Sequence, residues 1–544
     1  MKKRGLSLFL ALALCLTLLP AAAFANGEPE TPTPHTHYLC GNGQACNHVG
    51  GHNETDKTTF ATAITQNNDG FVWVGNGTQE QPYQCVLSEG TYYLATDLIL
   101  EAPSNTQFGS IQIMEDITLC LNGHTITVKA NREAFKITKS ISTPSPTLTL
   151  TDCQGGGKIT HDSSFLGNGV NLSENCNFIM YGGSITGNTT VWNGGGVYVG
   201  DSGKFYMHGG EISGNNASSN SGSSGGGVHI GSDSAFTMTG GTISGNSASN
   251  NGGGVHISSG STFTMTGGSI TGNNAENGGG VYANGSFTVS GAVQITGNKQ
   301  GTSASNVYLR SGKTITIGTN HLSSDASIGV TTQNLPTDED IAIATGANLD
   351  DKQYFHSDTG ENYLFYVTSG GTICMTAANV NDHPICGASC SHNGSSHTNE
   401  TWQPIGSAEE LTAIQNGGYY YLADDVTLSS RSVWEPPSDT FLCLNGHTIT
   451  GAAGTSTIDV GNGVNFILTD CKGSGKITHE SSDAVGCGVK VIGSFTMYSG
   501  SITGNHSSDG GGVWVENTGS FTMYGGSITG NTVSGSGGGV CVCL

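Results

Sequence analysis

Two short stretches concentrate the side chains best suited to metal chemistry. "HYLCGNGQACNHVGGH" carries His37, Cys40, Cys46, His48 and His52, and "HPICGASCSHNGSSH" carries His383, Cys386, Cys390, His392 and His397. Both read His-x2-Cys, then a second Cys four to six residues on, then Cys-x-His and a further His. Two thiolates with two or three imidazoles so close together suit tetrahedral zinc, and a closed set of that kind holds its ion structurally rather than catalytically. The same spacing also suits small-loop disulfides, Cys40–Cys46 and Cys386–Cys390, in an oxidising compartment. Further along, Cys120 with Cys153 and Cys443 with Cys471 recur at matching places, as pairs or as small packed hydrophobes.

Polysaccharide cleavage would need other groups. Lyases need clustered Asp with Arg or Lys to manage uronate charge, and hydrolases need paired carboxylates at a set separation. Asp350-Asp351 and Asp424-Asp425 are isolated pairs, and Asn-Gly-His at 122–124 and 445–447 has no carboxylate pair beside it. No nucleophile-elbow string supports Ser-His-Asp chemistry. Catalysis is therefore not expected, with a polysaccharide lyase or glycoside hydrolase as an alternative. No Asp-x-Asp-x-Asp-Gly loop points to calcium.

The elements that carry these residues are repeats. Gly-Gly-Gly-Val ends at Val197, Val228, Val255, Val281, Val513 and Val540. Ile-(Ser/Thr)-Gly-Asn ends at Asn188, Asn215, Asn246, Asn273 and Asn298, then at Asn505 and Asn531. Each unit holds three short alternating segments, for example Val255-x-Ile257, Phe263-x-Met265 and a strand around Ile270. A single unit is too small to offset its ordering entropy, so the units must stack and share internal apolar columns. The expected fold is all-β: a right-handed parallel β-helix. The recurring Asn is expected to form an internal ladder, with Asn itself in the left-handed turn conformation. Asn188-Thr189-Thr190 also reads as a glycosylation sequon, although the ladder already explains the Asn.

The residue after each Gly-Gly-Gly-Val is Tyr198, His229, His256 and Tyr282, then Trp514 and Cys541. Flanked by inward Val and Ile, it should face outward, so that stacking lines up a column of rings about 4.8 Å apart. Such a row suits the flat face of an extended glycan; ordinary cross-strand aromatic pairing is the competing explanation.

The units "GGGVYV…FYMHGGEISGN" and "GGGVHI…FTMTGGTISGN" resemble the β-helix repeats of bacterial surface proteins. They are similar to the Gly-Gly-Ala-Ile and Phe-x-x-Asn units of chlamydial polymorphic outer-membrane proteins, and closer to the Gly-rich coils of secreted gut Firmicutes proteins. The likeness is clear over 178–300 and 484–544. It implies a display or adhesion role, though neither a C-terminal membrane barrel nor a Leu-Pro-x-Thr-Gly wall anchor is recognisable.

A larger repeat overlies the small one. "ITLCLNGHTIT" (117–127) returns as "TFLCLNGHTIT" (440–450), and "LTLTDCQGGGKITHDSS" as "FILTDCKGSGKITHESS". We therefore expect two tandem modules. A leader occupies 1–25, basic at Lys2, Lys3 and Arg4, apolar to Leu19, with cleavage after Ala25. A linker follows over 26–34, then a Cys/His head (35–56), a β-helix (57–300) and a closing segment (301–380). A second head (383–403) precedes a second β-helix (404–544), which stops in mid-coil at "GGGVCVCL" and reads as truncated. The leader directs the chain to the outside, in solution or held at the surface through a region beyond the C-terminus. The formal net charge of −23 disfavours nucleic acid, and the mature chain has no transmembrane segment. These features lead us to expect a secreted or surface non-catalytic scaffold that meets glycans or cell surfaces. A plain stalk is the alternative, and a structural zinc is the only cofactor in view.

Overall fold

The computed structural model describes residues 62–65, 86–101, 108–139, 144–378, 383 and 401–543 apart from 338, 361 and 481–484, with isolated backbone segments nearer the N-terminus. The leader and linker lie outside the described residues, as do Cys40, Cys46, His48, His52, Cys386, Cys390, His392 and His397. Strand accounts for 48% of the chain and helix for 3%, which makes the fold all-β. It is a right-handed parallel β-solenoid of about 16 turns.

One coil shows how the sequence builds it. Val228–Ile230, Ala235–Met238 and Thr242–Ser244 are three strands separated by Gly-rich turns. Each pairs in parallel with its counterpart one coil away, and like residues fall in register. Val197, Val228, Val255, Val281 and Val307 form one column, and Ile212, Ile243 and Ile270 another. Phe178, Phe205, Phe236, Phe263 and Phe287 form a third, with successive ring centroids 4.9, 4.6, 4.7 and 5.0 Å apart. These side chains are buried, so alternation along each strand becomes continuous apolar cores.

The Asn column occupies the interior too, and there it satisfies the turns. Asn246 donates from its backbone N–H and from Nδ2 to Asn273 Oδ1, both at 2.9 Å, and from Nδ2 to the Ile212 carbonyl at 2.8 Å. Its own Oδ1 accepts the equivalent pair from Asn215, at 3.0 and 2.9 Å. Each Asn thus joins three coils. Asn188, Asn215, Asn246, Asn273 and Asn298 are all fully buried, and Asn505 bonds Asn531 in the same way. The conformational reason given for Asn needs correcting, because the left-handed residue is the glycine before it. Gly245 has φ 62° and Gly272 φ 67°, whereas none of the ladder Asn has positive φ.

The ladder has ends that the Asn motif does not announce. His161 lies 2.7 Å from Asn188 Oδ1 through Nδ1 and 2.6 Å from the Arg132 carbonyl through Nε2, so the ring spans the gap between the ladder and the neighbouring turn. His479 does the same toward Asn505 and the Thr455 carbonyl. At the far end Asn298 donates to Asn306, and Asn306 donates twice to the Asp358 carboxylate.

The glycine triplet serves two purposes. Gly225, at φ 71°, folds the turn against His229; a Cβ on Gly225 would lie 2.7 Å from the His229 Cβ. Gly226 abuts the neighbouring coil, where a Cβ would sit 2.2 Å from the Ser247 carbonyl oxygen. Only a residue without a side chain lets the coils close to hydrogen-bonding distance there.

Parallel stacking continues past the edge expected at 300, through Val307–Leu309 and Ser327–Thr332 to Phe355–Ser357. Antiparallel pairing of Thr372–Ala377 with Ile341–Thr345 and Tyr363–Val367 then ends this run. The larger buried apolar core spans Ile64 to Met375, and a second begins at Ile405. Glu410, on the short helix Ala408–Thr412, bridges the two. Its buried carboxylate takes Lys352 Nζ and the Val367 N–H (3.0 Å) on one oxygen and the Gly406 N–H (2.8 Å) on the other.

Candidate functional site

The ring column after Gly-Gly-Gly-Val is brought together as one stack. Tyr198, His229, His256 and Tyr282 follow at centroid distances of 5.4, 4.8 and 5.3 Å, with interplanar angles of 4°, 2° and 6°. Tyr308 extends it at 5.5 Å. The expectation of exposed rings is corrected here. His229 is buried and the other rings are half-buried, because the glycine turn folds over the column and each ring covers the faces of its neighbours. A sugar needs a free ring face on which to lie, and the rings between Tyr198 and Tyr308 have a ring on each face. Alternation had revealed which side of the strand these residues occupy, but not what packs over that side. Trp514 stands apart from the stack: Lys490 Nζ lies 5.2 Å from its ring centroid, and its indole N–H points to Cys543 Sγ at 3.1 Å.

Burial sets the chemistry of the two imidazoles. Desolvation pushes His229 down to about 3 and His256 down to about 4, and neither Nδ1 has a hydrogen-bond partner. Both rings are neutral at physiological pH and act as packed aromatics rather than as acid–base groups. Because their folded values lie below the unfolded value near 6.5, the stability they contribute is complete above that pH. It is lost as pH falls from about 6.5 toward 3. At pH 4.5 the loss should reach about 2–3 kcal/mol per ring. Denaturant midpoints of the wild type at pH 7.5 and 4.5 should therefore separate more than those of a His229→Tyr/His256→Tyr variant, which keeps rings at both positions. Equal separations would contradict the neutral packed-ring assignment.

Rings with free faces lie elsewhere. Trp192 is 75% exposed, on the loop between Asn188 and the next glycine triplet, beside half-exposed Val191. Nothing in the repeat pattern singled it out, since it occurs in one coil only; a lone aromatic within a polar turn was the available signal.

Of the candidate metal ligands, the backbone of His37 lies in the strand His35–Tyr38, paired with Lys57–Phe60. His383 is the head residue whose side chain is described, and it does not stay within its own head. It is buried, stacks on Tyr421 at 4.4 Å, and brings Nδ1 to 3.2 Å from Cys471 Sγ. His383, Cys443 and Cys471 hold their ligand atoms within 4.8 Å of one another. The thiols of Cys443 and Cys471 are free, and Cys120 and Cys153 stand at the equivalent place in the first repeat. The paired surroundings match closely. Each second Cys donates its N–H to the first Cys sulfur at 3.4 Å, and its thiol reaches an Asn Oδ1, Asn122 at 3.2 Å or Asn445 at 3.3 Å.

No protein-family model, curated protein or solved structure matches the chain. The solenoid is compatible with a surface or structural protein, and among the described residues no helix is long and apolar enough to cross a membrane.

Proposed function

We propose that the chain is an exported, non-catalytic scaffold whose long lateral surface is presented to carbohydrate or to cell surfaces. One observation carries this reading: the inward columns keep an apolar or Asn character from coil to coil, while outward-side positions change residue class along the stack. Phe, Val and Asn repeat inward without substitution over several coils. In the strand that carries the Phe column, outward positions run Ile179, Tyr206 and Thr237, after which Thr recurs at Thr264 and Thr288. Interior groups saturated by one another leave the outer surface as the place where ligands can be met. Trp192, with its ring free, is the side chain best placed to stack on a sugar.

A second reading, a plain stalk, is favoured by the ring column itself, whose faces are spent on self-stacking. A glycan array separates the two. The scaffold reading expects the wild type to bind an extended glycan and Trp192→Ala to lose most of that signal with the fold intact. Absence of binding to any glycan or cell surface would favour the stalk. New reducing ends or unsaturated products from polyuronates would overturn the non-catalytic assignment.

A further inference from the structure

We propose that His383 Nδ1, Cys443 Sγ and Cys471 Sγ form a three-donor site for a borderline-soft divalent cation, zinc above all, which pins the start of the second repeat to its first coils. This set differs from the head-only grouping of the sequence, with which it shares His383. Cys443 belongs to the strand Thr440–Cys443, and Cys471 follows Asn465–Thr469, the strand paired with it in the next coil. Parallel stacking therefore places the two sulfurs together, and His383 reaches them from 88 residues before Cys471.

The geometry fits a metal. Around a tetrahedral zinc with bonds of roughly 2.0–2.3 Å, ligand atoms lie about 3.5–3.8 Å apart. The three donors lie within 4.8 Å of one another, His383 and Cys443 are buried, and Tyr421 and Trp402 hold the imidazole from its face and edge. Binding forms two metal–sulfur bonds and one metal–nitrogen bond, and the thiol protons leave to solvent. The repeat supports the assignment. Cys120, Asn122 and Cys153 reproduce the arrangement of Cys443, Asn445 and Cys471, and each pair is preceded by a head that opens His-x2-Cys.

The test uses the full chain, purified under reductant, with zinc and cobalt(II) as probes. Zinc per chain is counted by elemental analysis, and cobalt(II) is read by its thiolate-to-metal charge-transfer band. Cys443→Ser/Cys471→Ser should lose one zinc per chain and the matching share of the cobalt band. His383→Ala spares both coil thiols and should weaken zinc binding about tenfold or more. The Cys374→Ser variant, altered at a buried thiol outside the cluster, should bind as the wild type does. Unchanged zinc content and affinity in both cluster variants would overturn the proposal, as would a Cys443–Cys471 disulfide in chain prepared with zinc present.

Discussion

Asn246→Ala should cost about 4 kcal/mol and open the solenoid locally. The substitution strands the Asn215 N–H and Nδ2 and the Ile212 carbonyl, all within the dry interior between coils. An unmade buried hydrogen bond costs about 1–3 kcal/mol, and nothing nearby replaces the amide. Asn246→Asp makes the sharper test. It keeps the acceptor that Asn215 needs but turns the donor facing Asn273 Oδ1 and the Ile212 carbonyl into a second acceptor. At neutral pH the variant should be at least as damaging as Ala, because a buried carboxylate would face two acceptors. At acid pH protonation restores one donor, so part of the loss should be recovered. Denaturant unfolding at both pH values reads this directly. A ladder whose Asn merely fill turns would leave Asn246→Asp nearly neutral.

Glu410→Ala should be comparably severe but confined to the contact between the two apolar cores. The carboxylate is buried and serves one ammonium and two backbone N–H groups. Its removal leaves the buried N–H groups of Val367 and Gly406 without their acceptor, at about 1–3 kcal/mol each, and takes the partner from Lys352, which is partly open to solvent. Glu410→Gln should be milder, since its amide oxygen still accepts one backbone N–H. A double-mutant cycle with Lys352→Ala should be strongly non-additive, the second substitution costing little once the first is made. Simple additivity, or no change in proteolysis between the two cores, would contradict this role. The Thr376–Tyr421 hydroxyl contact, 3.4 Å long, is the weaker neighbour of the same junction.

The residues differ in how readily the sequence announced their roles, and the reasons are physical. The inward columns were legible because stacked coils select like residues at a fixed interval, so Phe205, Phe236 and Phe263 repeat in sequence as they do in space. His161 and His479 were missed as ladder caps because they replace Gly-Asn after Ile-Thr with a different side chain. Their shared offset from Ile159 and Ile477 was the available signal. Asp358 was hidden because it closes the ladder from 52 residues away from Asn306. The thiol cluster was hidden for a similar reason: parallel stacking joins residues a coil apart, whereas spacing within a head reports only local neighbours. The ring column was read correctly as a stack but wrongly as exposed, because the glycines that cover it carry no side chain to betray the packing.

Backbone hydrogen exchange over residues 252–273 of the intact chain tests most directly whether these Gly- and Ser-rich coils are built structure. Val255 donates to the Gly280 carbonyl at 2.8 Å, Thr262 to Ser234 at 2.9 Å and Asn273 to Asn298 Oδ1 at 3.0 Å. These amides should exchange as slowly as those of Ala235–Met238, and Asn246→Ala should release them selectively while the second core stays protected. Exchange at the rate of an unstructured peptide would show that the stretch is slack chain, and the stacked scaffold would fall with it.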